Sequence, residues 1–126
     1  MPRQKTTASG LGRANEPSVL ILTSLASGTK HGYALTKDIA RFAGVELSPG
    51  TLYGAITRLE QRGFIEPTAG DERRRPYRIT ASGRTALAEA VHDMRSLADE
   101  GALRLGLRAV AAALRSPALR AGGSAP

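Results

Sequence analysis

Apolar residues along this chain form short helically spaced clusters, then two brief extended runs, then a long helical stretch, with Gly, Ser and Pro at the breaks. Val19, Leu20, Ile21, Leu22 and Leu25 leave little polar surface on a helix over about 16–27, which places that helix at the centre of a core. Asn15 is a candidate cap, Pro17 falls in the first turn and Gly28 lies just past the end. A second helix over 31–43 carries Leu35, Ile39 and Phe42 at helical spacing, turns Lys37, Asp38 and Arg41 to water, and stops at Gly44. Ser48-Pro49 is an N-cap hydroxyl followed by proline at the first helical position. The third helix, 49–63, then places Leu52, Ala55, Ile56 and Leu59 at i, i+3, i+4 and i+7. Its opposite face offers Thr51, Gly54, Thr57, Arg58 and Gln61, with Tyr53 at the flank.

Phe64-Ile65-Glu66 and Tyr77-Arg78-Ile79 read as short strands joined through the turn residues Thr68-Ala69-Gly70-Asp71. Pro76 has no backbone donor and belongs at an edge or just outside the ladder. Three short helices followed by a hairpin predict a mainly α fold with a small β-hairpin wing, the winged helix-turn-helix plan. From Thr80, the expected cap, the pattern turns helical again, with one stripe at Leu87, Val91, Met94 and Ala98 and another at Leu103, Leu107, Val110 and Leu114. The two stripes lie nearly opposite each other on an unbroken helix, so either the helix breaks near Gly101 or Gly106 or its halves serve different partners. Either way apolar surface is left for a second chain. The expected organisation is a disordered basic arm over 1–14, a winged helix-turn-helix over 15–80, a C-terminal dimerisation helix or helices over 81–115, and a disordered tail over 116–126.

Composition narrows the function. The 126 residues carry a net charge of +7, which points to a polyanionic partner. Residues 1–15 and the stretch from Gly101 onward hold bases and no acids, and Arg73-Arg74-Arg75 form the one internal cluster. There is no cysteine, which excludes disulfides, thiolate metal sites and thiol nucleophiles. No Gly-rich phosphate loop, framed carboxylate pair or serine with a credible base is present, so an enzyme is not expected. His92 with Glu89 and Asp93 reads as a solvated helix face, and no metal or other cofactor is expected. The apolar run around Val19–Ala26 is too short to span a bilayer, and Glu16-Pro17 interrupts the approach to it. A cytoplasmic location is the expectation.

His31-Gly32-Tyr33, Ser48-Pro49-Gly50-Thr51-Leu52-Tyr53, Arg58-Leu59-Glu60, and Arg74-Arg75-Pro76-Tyr77-Arg78-Ile79-Thr80 followed by Gly83 occur in an order and spacing that resemble the PadR family of bacterial transcriptional regulators. The likeness runs over about residues 16–90 and is closest to the short-tailed members. It implies a dimer formed through the C-terminal helix that binds operator DNA and represses a nearby gene. This chain departs from the pattern at Gly54, where proline is common, and at Thr57, where lysine is common.

The candidate DNA-binding residues are therefore Ser48, Gly50 and Thr51 at a helix N-terminus suited to phosphate; Tyr53, its hydroxyl on a phosphate; Thr57, Arg58 and Gln61 at base edges; and Arg73, Arg74 and Arg75 of the wing, placed on the flanking groove over 66–77. Arg58 pairing with Glu60 or Gln61, and Tyr53 as a core-edge ring, are the plainer readings. Lys30 is a weaker phosphate candidate, and His31 is expected to shape a helix start. The candidate dimerisation residues are Leu87, Val91, Met94, Ala98, Leu103, Leu107 and Val110. The partners expected are double-stranded DNA, a second copy of the chain and, if any, a small-molecule effector of unknown identity. With no aromatic residue beyond Tyr77, an effector pocket there would be aliphatic, around Leu87, Val91 and Met94. The competing class is a winged-helix protein–protein module that holds an acidic partner without reading DNA. Membrane-surface attachment through the basic amphipathic segment around Arg104, Arg108 and Arg115 is a weaker third.

Overall fold

The computed structural model describes Leu11, residues 16–70 and residues 75–107. In chain order these form α1 (Pro17–Leu25), α2 (Gly32–Ala43), α3 (Pro49–Gln61), β1 (Ile65–Pro67), β2 (Tyr77–Ile79) and α4 (Ala81–Leu105). Arg73, Arg74, Val110, Leu114 and most of both predicted terminal segments lie outside the described residues. Leu11, the one described residue of the predicted arm, is buried. The chain divides into two compact units, through Val91 and from His92 on.

In the first unit α1 is enclosed, with Val19, Leu20, Ile21, Leu22, Ser24 and Leu25 all buried, and it packs against α2, α3 and β2. It starts at Glu16 without a side-chain cap and with Pro17 in its first turn. α2 contributes Leu35 and Ile39 to the core, whereas Phe42, expected on the same face, is 44% exposed. It sits on the last turn of α2, two residues before Gly44 ends the helix in the left-handed conformation at φ 68°. α3 buries Leu52, Ala55, Ile56 and Leu59 as its spacing requires. It ends two residues earlier than expected, at Gln61, because Gly63 turns left-handed at φ 76°. The Gly63 and Phe64 N–H groups then donate to the Glu60 and Leu59 carbonyls at 2.9 Å each, a Schellman closure.

That closure also moves β1 one residue along from the expected Phe64–Glu66. Phe64 is committed to finishing α3, so the ladder begins at Ile65 and pairs antiparallel with β2 as Ile65–Ile79, Glu66–Arg78 and Pro67–Tyr77. A further bridge joins Lys30 to Tyr77, with Tyr77 N–H to Lys30 O at 2.8 Å and Lys30 N–H to Tyr77 O at 3.1 Å. It stitches the α1–α2 connection to the hairpin, and nothing in the local pattern around Lys30 signals a strand.

Thr80 caps α4, its Oγ1 accepting from Gly83 N–H at 3.0 Å, while the same hydroxyl donates to the Gly63 carbonyl at 2.6 Å. Ser82 Oγ donates to that carbonyl too, at 2.9 Å, and Thr80 N–H to Phe64 O at 3.0 Å. The helix can lie this close only because residue 83 has no side chain. A Cβ there would stand 2.1 Å from the Phe64 carbonyl oxygen and 2.9 Å from Ile79 Cγ1. The buried residues of α4 are accordingly small, Gly83, Ala86 and Ala90, and they are not those of the Leu87, Val91, Met94 and Ala98 stripe expected to meet a second chain. In that stripe Leu87 and Met94 are half-buried and Val91 and Ala98 exposed. In the second unit the helix continues through Gly101 and closes at Gly106, φ 71°. Gly106 N–H to Leu103 O and Leu107 N–H to Ala102 O, at 3.1 and 2.8 Å, make another Schellman end, so of the two expected break points Gly106 is the one used.

Among the described residues the polar exception in the core is Ser24. Its hydroxyl donates to Asp38 Oδ2 at 2.6 Å, and its carbonyl accepts from Lys30 Nζ, also at 2.6 Å. Arg41 pairs with the other Asp38 oxygen. The Ser24 hydrogen bond, reinforced by Lys30 and Arg41 and opposed by burial, holds the Asp38 carboxyl below its ordinary range.

Two outcomes follow for stability. Gly83→Ala forces backbone against backbone and should destabilise the domain by about 1–3 kcal/mol in urea unfolding; an unchanged midpoint would contradict the close approach. Asp38, depressed in the folded state, stabilises above the ordinary aspartate range, and that contribution is lost as pH falls through its lowered folded value. Asp38→Asn should therefore lower stability at neutral pH and flatten its decline below about pH 4, measured by melting the two proteins across pH.

Candidate nucleic-acid interface

The outward face of α3 is built by the residues its buried face leaves over. At about 100° per residue, Thr51, Arg58, Gly54, Gln61, Gly50, Thr57 and Tyr53 share one arc of roughly 160°, opposite Leu52, Ala55, Ile56 and Leu59. All seven are exposed except Gly54, which is half-buried. The helix starts as its sequence dictates: Ser48 Oγ accepts from Thr51 N–H at 3.2 Å and donates to Thr51 Oγ1 at 3.0 Å. Among the described residues no carboxylate pairs with Arg58, so the pairing with Glu60 is not formed. Its Nη1 instead folds back along the helix, 3.6 Å from where a Cβ on Gly54 would be.

Tyr53 stands between α2 and α3. Its ring tip lies against Gly32, where a Cβ would come within 2.2 Å of the hydroxyl oxygen, yet the residue is 49% exposed. It is thus a core-edge ring and a surface group at once. It helps line an apolar groove of about 340 Å³ with Gly32, Tyr33, Thr36, Leu47, Pro49 and Leu52. His31 shapes the start of α2 as expected, its Nδ1 accepting from Ala34 N–H at 3.4 Å.

Of the wing arginines, Arg75 is described and half-buried. It acts with Glu60 and Tyr53 on the Tyr77 phenol, which burial first and Glu60 second push above its ordinary range, Arg75 opposing. The hairpin base and the α3 face therefore share one electrostatic neighbourhood. Lys30 is corrected as a phosphate candidate: its ammonium donates to the Ser24 carbonyl and to Ser27 Oγ at 3.0 Å, and lies 3.9 Å from Asp38. Those bonds tie it to the protein.

Tyr33 and Lys37 carry the signal the sequence reading passed over. Tyr33 is 68% exposed, and the Lys37 ammonium rests 5.5 Å from its ring centroid. Tyr33 falls two positions before Leu35, off the buried stripe of α2, which is the mark that finds it. Among the described residues no group of three or more His, Cys, Asp or Glu side chains is placed to hold a metal, and no helix is long and apolar enough to cross a membrane.

Three helices, a two-stranded wing and a polar, outward-facing third helix define a winged helix-turn-helix of the transcription-regulator class. Residues 21–89 match the transcriptional regulator PadR-like family, and the chain belongs to that family, whose members are regulators and not enzymes. Over 83 residues it is 42% identical to the transcriptional regulator Rv3488 of Mycobacterium tuberculosis, the match covering 64% of this chain and 77% of that protein. It is 40% identical over 85 residues to an uncharacterized 37.1 kDa protein in transposon TN4556 of Streptomyces fradiae, covering 68% of this chain but only 25% of that longer protein. The crystal structure of a PadR family regulator from Eggerthella lenta superimposes with a TM-score of 0.60 at 30% identity, covering 70% of this chain and 80% of that one.

The Tyr53–Gly32 contact has its own test. Gly32→Ala displaces the far end of a side chain that is free to swing, so the melting temperature should stay within a few degrees while the Tyr53 ring resonances shift. Unmoved resonances would show that the ring does not rest on Gly32.

Proposed function

We propose that the protein is a homodimeric, sequence-specific DNA-binding transcriptional regulator, and a repressor, acting in the cytoplasm on a pseudo-palindromic operator. The observation that carries this is the face of α3: polar, uncapped by other elements, and bearing an arginine with no carboxylate partner among the described residues. A helix with that face suits the major groove. Arg58 presents the fork that matches guanine O6 and N7, Gln61 and Thr57 flank it, and Ser48, Gly50, Thr51 and Tyr53 meet phosphates. The wing, with Arg73, Arg74 and Arg75, lies on the flanking groove. Tyr33 and Lys37, on the first helix of the motif, add backbone contacts where such helices cross the phosphates. Leu87, Val91, Met94, Ala98, Leu103, Leu107 and Val110 supply the dimer contact. Leu103 and Leu107 are exposed, as an unpaired copy requires, and two-fold symmetry sets half-sites about 34 Å apart.

Fluorescence anisotropy on DNA beside the protein's own gene, against scrambled competitor and across salt, tests the reading. The expected result is a complex that prefers the native sequence and weakens with salt, with a slope of about 0.9 per phosphate neutralised. Arg58→Ala should lose about 1–3 kcal/mol and level the preference, while Lys37→Ala should weaken all sequences equally and reduce the slope by about 1. Equal weak binding to both DNAs would overturn specific readout and favour an acidic protein partner.

A further inference from the structure

Thr57 stands near the middle of the exposed arc of α3, between Tyr53 and Arg58. Its Oγ1 lies 3.0 Å from the Tyr53 carbonyl oxygen. A carbonyl can only accept, so the hydroxyl proton is committed to the helix backbone, and what Thr57 turns outward is an acceptor oxygen and a methyl group. Gly54, one turn back, has no side chain to hold a duplex away from the helix, and Arg58 folds over it. A short side chain at position 57 thus sits where base edges come closest.

The geometry points to Thr57 as the residue that selects an A·T base pair next to the pair read by Arg58. This rests on the reading of α3 as the major-groove element. In the major groove an A·T pair offers both complements of what Thr57 presents: the adenine N6 amino group donates, and the thymine C5 methyl packs against a methyl. Guanine shows only acceptors, N7 and O6, which an outward oxygen with its proton already used repels. The cytosine opposite it donates through N4 as adenine does through N6 but has no methyl, so the methyl contact is what decides between the two pairs. A lysine at this position, the common choice in the family it resembles, presents donors alone and inverts that preference toward guanine. The departure at Thr57 is on this account a change of base readout, with the hydroxyl polarity fixed by the Tyr53 carbonyl.

The test is in vitro selection from random duplexes with the full chain, its Thr57→Val and its Thr57→Ser variants, followed by anisotropy on the selected site and on a copy with uracil for thymine. Thr57→Val keeps the β-branch and the methyl but loses the acceptor; Thr57→Ser keeps the acceptor and loses the methyl. The wild type should select A·T at one position per half-site beside a guanine, with a G·C exchange there weakening binding about tenfold. Thr57→Ser should accept G·C at that position within about threefold, and Thr57→Val should keep A·T while binding it more weakly, with preference elsewhere and salt slope unchanged. Uracil should weaken the wild type and leave Thr57→Ser unaffected. If both variants select the same pair as strongly as the wild type, or the wild type selects guanine with no preference beside it, Thr57 reads no base and the proposal fails alone. If the wild type selects nothing at any position, specific DNA readout itself fails with it.

Discussion

The enclosure of α1 is the constraint on which the rest depends. A nine-residue helix with Val19, Leu20, Ile21, Leu22 and Leu25 buried has apolar groups on most of its circumference and must be covered from several directions at once. α2, α3 and β2 each take a share of it, so the positions of the three helices are set by one hydrophobic requirement. The polar group caught inside, the Ser24 hydroxyl, is satisfied by Asp38 of α2. Lys30, reaching back to the Ser24 carbonyl, fixes the connection between α1 and α2. Packing brings α2 against α1 and the polar links fix its register. What remains for α3 is a single buried face of four residues, and everything opposite is free to be chosen for another purpose.

A second constraint joins the wing to that helix. Gly63 and Phe64 close α3 and lead into the hairpin; the Gly63 carbonyl accepts the Thr80 and Ser82 hydroxyls, and the Phe64 carbonyl accepts the Thr80 N–H and lies against Gly83. One short backbone segment therefore serves the end of α3, the base of the hairpin and the start of α4. The helix face and the wing sit on a shared support instead of a loose loop, which the proposed contact with two neighbouring grooves needs, since a small misplacement of either forfeits hydrogen bonds that depend on distance and angle. The same closeness explains why α4 buries Gly83, Ala86 and Ala90 and leaves its larger apolar residues uncovered.

Much of this was legible because local signals agreed. The helix starts at Ser48 and Thr80, the stops at Gly44 and Gly63, and the four-residue stripe of α3 each rest on one residue doing one job. What escaped were residues with two jobs or with partners distant in sequence. Phe64 reads as the first residue of a strand, but its N–H closes the preceding helix. Lys30 reads as a surface cation, but its backbone pairs with Tyr77 and its ammonium is held by Ser24, Ser27 and Asp38. Phe42 has the spacing of a core residue at the end of a helix where the core has run out. On α4 periodicity finds the most apolar face, whereas close approach to the hairpin buries the smallest one, which the pattern does not mark. Of the candidate site, the α3 face follows from its periodicity, while Tyr33 and Lys37 show only once α2 is placed beside it.

Charge alone does not make this surface a reader. Several of the described bases are spent on the protein itself, Lys30 and Arg41 with Asp38, Arg78 with Glu66, and Arg104 with Glu100. The Arg78–Glu66 and Arg104–Glu100 pairs are exposed and add little stability, but all of these pairs remove their cations from the field an approaching polyanion meets. Arg58 and Lys37 differ. Among the described residues neither has a carboxylate partner, one lying over Gly54 and the other over the Tyr33 ring, and both stand on the two helices of the helix-turn-helix. Arg58 and Lys37 thereby place unpaired charge beside the α3 face. On the proposed function, a duplex drawn in by that charge meets groups whose hydrogen-bonding polarity is already set, Arg58 as donor and Thr57 as acceptor. Lys37 then serves steering alone, Thr57 recognition alone and Arg58 both, and keeping part of the readout on an uncharged group is what a sequence-specific binder needs if affinity for phosphate is not to swamp its choice of bases.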